Sequence, residues 1–242
     1  MEKEPLKPSI TEGTSFKVIG LGGVGGPIAR NLAVFLAASQ TPARLLLIDG
    51  DHFEPSNASR MIFGDYGNKA RVIADELLPR FQDSKLEITA IEEFIRADNI
   101  DAMISEGDII LMAVDNHTTR KMVSDHCSKL KNVLLISGGN DGVENGKRGT
   151  FGNVQIHSRK DGQDLTLSIT SAHPEIANPA DKHPEEKSCT ELVTSVPQIL
   201  FTNLTVAAAM LNTLLLELAS GRKYEELVFD TAEGLMRPVN LR

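Results

Sequence analysis

The stretch FKVIGLGGVGGPIAR, Phe16 to Arg30, decides the fold. Phe16-Lys-Val-Ile-Gly20 is a short apolar strand that ends in a glycine loop. From Pro27 to Ala38 apolar residues recur at helical spacing, at Ile28, Leu32, Phe35 and Leu36. Strand, turn and helix in that order give Gly20, Gly22, Gly23 and Gly25 a purpose. Glycines let the chain turn sharply and bring backbone N–H groups close to a phosphate, and the helix N-terminus adds partial positive charge. A tight turn that binds nothing is the bland reading; the flanking elements favour a nucleotide. Which nucleotide stays open here, because Asp49, 24 residues after Gly25, is also spaced to grip the ribose of a nicotinamide cofactor.

Outward from this stretch the chain alternates. Arg44 to Ile48 is a second buried strand, closed by Asp49-Gly-Asp51. Lys69 to Phe81 has a helical pattern, Leu86 to Ile91 is a third strand, and a short helix covers Asp98 to Ser105. Asp108 to Val114 is an almost continuous apolar run, as expected of a central parallel strand covered on both faces. A helix from Thr118 to Leu130 and a strand from Asn132 to Ser137 follow. This alternation predicts an α/β fold with a doubly wound, mostly parallel, Rossmann-like sheet and right-handed crossovers.

From Thr150 the pattern changes to a C-terminal antiparallel extension and a helical block. Phe151 to His157 and Leu165 to Ile169 read as antiparallel strands joined at Lys160-Asp-Gly. Ser171 to Ser188 is polar and proline-bearing, a loop expected to be mobile or to cover the site. The helical block runs from Thr190 to Ser220, and Leu227 to Asp230 and Met236 to Leu241 are final strands. Residues 1–15 read as a flexible or loosely docked arm, and residues 16–242 as one domain with a nucleotide-binding half, 16–148, and a second half, 149–242.

The 242 residues are 41% hydrophobic and 24% charged, which suits a soluble domain with a sizeable core. A net charge of −8 argues against nucleic acid as the main partner, since phosphate neutralisation needs a basic surface. The first fourteen residues lack the apolar core of a secretory signal, so a reduced, cytoplasmic location is the expectation. Val193 to Leu218 is apolar, but Pro197, Asn203 and Asn212 interrupt it. It reads as a buried helix pair, or one used in a dimer, rather than a membrane span. Two cysteines, Cys127 and Cys189, make neither a four-cysteine zinc site nor a disulfide framework.

The deciding constellation follows the second strand. Asp49-Gly-Asp51-His-Phe-Glu54-Pro-Ser56-Asn57-Ala-Ser-Arg60 is too polar for a core element, and Lys69 stands nine residues further on. The run from Asp108 ends in Asp115-Asn116, followed by Arg120. Strand C-terminal ends converge on the ligand crevice of a doubly wound sheet, which brings Asp49, Asp51 and Asp115 around the glycine loop. One carboxylate suits ribose hydroxyls and another suits Mg2+, while Arg60 and Lys69 neutralise phosphates. ATP fits this set better than a nicotinamide. The plain alternatives are that Asn57 caps a turn, Lys69 is a solvated helix residue and Asp115 caps the next helix.

At these residues the chain resembles the ThiF/MoeB/HesA family, relatives of ubiquitin-activating enzymes. The resemblance rests on Gly20 to Gly25, Asp49 to Arg60, Gly67-Asn-Lys69-Ala70, and Asp115-Asn116 with Arg120, in that order. It implies Mg-ATP-dependent adenylation of the C-terminal glycine of a small ubiquitin-like, β-grasp protein by a homodimer. Carried over, Asp49 and Asp51 hold the ribose region, Asn57, Arg60 and Lys69 contact phosphates, and Asp115, beside Asn116, binds Mg-ATP. The second half then faces the acyl acceptor and carrier protein. In the family a cysteine often precedes the helical block, so Cys189 is a candidate acyl-accepting nucleophile, with a small buried hydrophobe as the plain alternative. Ser188 to Leu192 and Gln198 to Asn203 look like compact, zinc-free members from bacterial mobile-element operons. Departures are Met61 in place of the usual glutamine, a shortened interval from Arg60 to Lys69, and missing CxxC zinc motifs. Met61 and the shortened interval keep open a nucleotide-binding scaffold without the chemistry; a tRNA-nucleoside or other non-protein carboxylate as acceptor is a separate alternative.

Overall fold

The computed structural model describes residues 5–59, 61–143, 146–186 and 199–241. The first strand and helix are β1 (Thr14–Ile19) and α1 (Gly25–Ala38). Next come β2 (Ala43–Ile48), a small hairpin of β3 (His52–Phe53) and β4 (Gly67–Asn68), and α2 (Lys69–Phe81). They are followed by β5 (Leu86–Ile91), α3 (Ile100–Met103), β6 (Ile109–Met112), α4 (His117–Cys127) and β7 (Val133–Asn140). The second half holds β8 (Phe151–Lys160), β9 (Gln163–Asp164), α5 (Ile169–Ala172), α6 (Pro174–Ala177), α7 (Leu200–Leu218), β10 (Glu226–Asp230) and β11 (Leu235–Val239).

The main sheet runs β11-β10-β8-β7-β6-β1-β2-β5, with β9 as a hairpin partner of β8. Strands β5, β2, β1, β6 and β7 are parallel; β8, β10 and β11 are antiparallel. The predicted doubly wound sheet with an antiparallel extension is therefore the observed one. Alternate residues of each central strand feed different faces. Val18, Leu47 and Leu111 pack with α1, α2 and α7, while Ile19, Ile48 and Met112 pack with α3 and α4. The chain winds from β1 outward to β5, then returns to β6 and winds the other way, so the crevice lies between β1 and β6.

Two expectations change. Leu165 to Ile169 is not a strand: Ser168 accepts a hydrogen bond from the Ser171 amide and starts α5, which buries Ile169. The segment after Ser171 contains α6 and a 3-10 turn, Pro184–Glu186, rather than loop throughout, and it packs against α4. Its residues 187 and 188, and the part of the helical block before Ile199, lie outside the described residues. The described rest of the block is one helix, α7. The arm is docked where described, with the Ser9 amide donating to Leu218 O and Ile10 packed on the core.

Helix α7 is long and apolar enough to cross a membrane by composition, but Val206, Met210 and Leu214 lie in the core against β7, β8 and α1. Thr202 and Asn203, on its first turn, are buried, and the Thr202 Oγ1 and both Asn203 amide atoms lack hydrogen-bond partners among the described residues. An unsatisfied buried polar group costs about 1–3 kcal/mol. Asn203→Leu is therefore expected to raise urea-unfolding stability by about 1 kcal/mol or more with an unchanged m-value. A fall in stability contradicts this.

The opposite end of β1 holds a buried ion pair. Lys17 Nζ lies 2.6 Å from Asp108 Oδ2 and donates to Met103 O, and both side chains are almost wholly enclosed. Asp108 also accepts from the Ser105 amide. Nearby, burial and then the Asp108 charge push the Cys127 thiol up to about 12. Cys127 is an inert core residue, as its position in a helical pattern suggests.

Candidate functional site

The glycine turn is set by space. Gly20 has φ +83, and a Cβ there would lie 3.0 Å from the backbone of Ala113 on the neighbouring chain after β6. A Cβ on Gly25 would sit 1.7 Å from Gly20 O, so the turn closes only with glycine at that point. Beyond it Gly26 donates to Gly22 O, and α1 begins with Val24 at its N-cap and no side-chain cap. The first amides of α1 and its dipole thus face the crevice.

Asp49, at the end of β2, is fastened to this turn. Its Oδ2 accepts from the Leu21 amide at 2.6 Å and its Oδ1 from the Asp51 amide at 2.9 Å. Burial raises the Asp49 pKa; Lys69 and the two amides oppose that shift without cancelling it. Asn68 holds the local geometry by donating to Asp49 O and accepting from Arg71 N as the N-cap of α2. The small β3–β4 pairing, illegible in a two-residue strand, sets Lys69 beside Asp51.

Lys69 Nζ lies 2.5 Å from Asp51 Oδ2, and its amide donates to Asp51 O. The lysine side chain is only 8% exposed, whereas that of Asp51 is 58% exposed. Lys69 is therefore a buried cation among carboxylates, not a solvated helix residue. Asn57 is buried, and its Oδ1 accepts from the Glu54 amide within a 3-10 turn, Pro55–Ser59. Arg60 and Cys189 lie outside the described residues. Met61 is described: a Cβ on Gly22 would lie 3.4 Å from its Cε, so the thioether end rests by the glycine loop.

Asp115 is exposed where the chain leaves β6. Asn116, not Asp115, caps α4: its Oδ1 accepts from the Thr119 amide. That commits the Asn116 oxygen to the helix. Asp181 completes the end of α4, with Oδ2 accepting from the His117 amide and Oδ1 from the Thr118 amide. Sequence reasoning missed Asp181, because nothing near it marks a partner 64 residues away. Among the described residues no three metal-ligating side chains cluster.

The segment carrying Asp181 is also fastened by His173. Its Nδ1 lies 3.1 Å from Glu175 Oε1 and its Nε2 3.3 Å from Glu226 Oε1, the second an ion-pair contact too poorly aligned for a hydrogen bond. Burial disfavours the charged ring, but Glu226 and Glu175 together outweigh it and raise the pKa. A raised histidine pKa adds stability that is complete below about pH 6.5 and disappears as pH rises through the folded value. His173→Asn is expected to flatten the unfolding free energy across that window; an unchanged pH slope contradicts the assignment.

A strand, a glycine turn and a helix at the switch point of a doubly wound sheet define the class. The ThiF family model matches residues 11–235, and the chain belongs to that family. Among curated relatives, adenylyltransferase and sulfurtransferase MOCS3-1 of Zea mays is 33% identical over 133 residues, covering 54% of this chain and 27% of that protein. The heterocyst protein HesA of Trichormus variabilis is 26% identical over 129 residues, covering 52% of this chain and 46% of that protein. The chain thus spans less than half the length of these two relatives. Escherichia coli MccB, solved with succinimide, superposes with a TM-score of 0.70 at 17% identity, over 94% of this chain and 64% of that one. MccB solved with AMPCPP and MccA gives 0.67 at 16% identity over the same shares. These structures share the fold.

Proposed function

We propose that this protein adenylates a carboxylate with Mg-ATP, and that the carboxylate is the C-terminus of a small ubiquitin-like, β-grasp protein. The carrying observation is the bond from the Leu21 amide to Asp49, which locks the β2 carboxylate onto the glycine loop with buried Lys69 beside it. The amides at the start of α1 receive phosphate oxygens. Asp49 retains lone pairs for ribose hydroxyls. Lys69 transfers its hydrogen bond from Asp51 to the phosphates and stabilises charge that builds on them. A carboxylate oxygen attacks the α-phosphorus, the bond to the bridging oxygen breaks, and pyrophosphate leaves with the electron pair, giving an acyl-adenylate.

Asp115 fits Mg2+ that arrives with the triphosphate, because Mg2+ keeps most of its waters and needs few protein carboxylates. When bound there it neutralises charge on the phosphates. The resemblance to the family supports Asn57 and Arg60 as further phosphate contacts and Cys189 as the later acceptor of the acyl group. Residues 16–148 form the nucleotide half, and residues 149–242 face the carrier protein. Exposed Phe201 and Leu204 on α7, with Val34 on α1, supply an apolar surface suited to a second copy in a homodimer.

ATP–pyrophosphate exchange with Mg2+ and a β-grasp protein encoded nearby tests this reading. No exchange with any such protein, together with tight NAD binding, would sink it. Unchanged covalent products from Cys189→Ala remove the cysteine step alone. A nucleotide-binding scaffold is the second reading, favoured by Met61, whose apolar tip rests by the glycine loop where the family resemblance leads one to expect glutamine. A net charge of −8 weighs against a tRNA-borne acceptor.

A further inference from the structure

Arg120, on α4, has no role in the reaction above, yet it is a buried cation at the edge of the crevice. The β6–β7 ladder ends at the pair Met112 and Ser137, while β7 continues to Asn140 in its pairing with β8. Past that last rung, the guanidinium bridges the two strands. Nη2 donates to Val114 O and to Gly138 O, each at 2.8 Å, and Nη1 donates to Ser137 Oγ at 2.7 Å. Gly139 leaves the room for this, since a Cβ there would lie 2.6 Å from Nη2.

The charge is as unusual as the geometry. Among the described residues no carboxylate makes an ion pair with Arg120, and its nearest partners are neutral oxygens. The carboxylates whose charge it feels are Asp115 and Asp181, and burial still pulls its pKa down to about 10. Asp181 is already bound to the first amides of α4, so Asp115, exposed and adjacent to Val114, is the anion left to respond. A planar fork with several donors can span two carbonyls and a hydroxyl; a lysine ammonium of the same charge cannot hold all three in one plane.

We propose that Arg120 is a positioning residue that extends the β6–β7 pairing beyond its last rung and so aims Asp115 at the Mg-ATP phosphates. This rests on the reading of Asp115 as the carboxylate that holds Mg-ATP. The test is calorimetric binding of ATP with excess Mg2+ and with EDTA, on the wild type and on Asp115→Asn, Arg120→Lys and Gly139→Ala. Thermal unfolding of each variant reports whether it folds. Gly139→Ala keeps every charge and displaces only the guanidinium, and Gly139 has no positive φ to forbid alanine.

The Mg2+-dependent gain in ATP affinity is expected to fall about tenfold in Arg120→Lys and in Gly139→Ala, equivalent to about 1.4 kcal/mol, with EDTA affinity nearly unchanged. A structural role alone would lower both affinities together. If Arg120→Lys does not fold, Gly139→Ala carries the decision. A full Mg2+ gain in folded Gly139→Ala, or in folded Arg120→Lys, overturns the inference while a lost gain in Asp115→Asn keeps the Asp115 reading intact. A full gain in Asp115→Asn removes that reading and the inference with it.

Discussion

Lys69→Met is expected to lower pyrophosphate exchange by about 10²–10³-fold, the scale for removing a group aimed at developing charge. The effect has two sources in the structure. The variant loses the one described cation in direct contact with Asp51, and it leaves Asp49 facing the glycine loop without the charge that opposes its burial. The Asp49 pKa, already raised by burial, then loses the Lys69 charge that opposes the shift, which makes the carboxylate costlier to keep charged beside the glycine loop. ATP affinity is expected to weaken along with the rate, because in the proposed reaction the phosphates meet Lys69 before and during transfer. Exchange rates within a factor of about three of wild type, with the variant folded, would remove Lys69 from the chemistry.

Lys17→Met is expected to cost about 3–5 kcal/mol of stability, because it strands Asp108 in the core. The pair lies at the end of the sheet opposite the crevice, so ATP affinity in the folded variant should hold. Among the described residues Asp108 then keeps only the Ser105 amide, which does not neutralise its charge. For a chain of this size the loss lowers Tm by roughly 10 °C. Lys17→Met with Asp108→Asn should recover much of it, since neither charge remains buried alone. Urea unfolding of the single and double variants decides the matter: a single variant that loses less than about 1 kcal/mol, or a double no better than the single, rejects the account.

The parallel half of the fold was legible because its signals are local. Lys69–Phe81 and Leu86–Ile91 were read at their observed bounds, since apolar spacing and a sharp change of period mark both ends. Gly20 to Gly25 could be read as a turn because steric room is a property of the residue itself. The β8–β9 hairpin kept its turn at Asp161-Gly162 but not its second strand, because Leu165 to Ile169 alternates like a strand and the Ser168 cap overrides the alternation. The crevice was legible as a list of residues, not as contacts. The Lys69–Asp51 pair and the Asp181 cap on α4 each depend on a loop residue, and Arg120 reaches from α4 to β7 and to the chain past β6; no periodicity encodes such meetings between distant segments.

The central position of β1 has a kinetic consequence. Its pairing with β2 joins neighbouring stretches, but its pairing with β6 brings Phe16 to Ile109, across more than a third of the chain. Loop-closure entropy makes such distant pairing slow. The glycine turn and Asp49 can therefore meet while the polypeptide is still emerging, whereas Asp115 joins them only after β6 has been synthesised and inserted. Until then both edges of β1 and β2 that await partners are open to wrong ones. A nucleotide that recognises only the closed crevice would draw the population toward the finished sheet, acting on folding yield as well as on turnover.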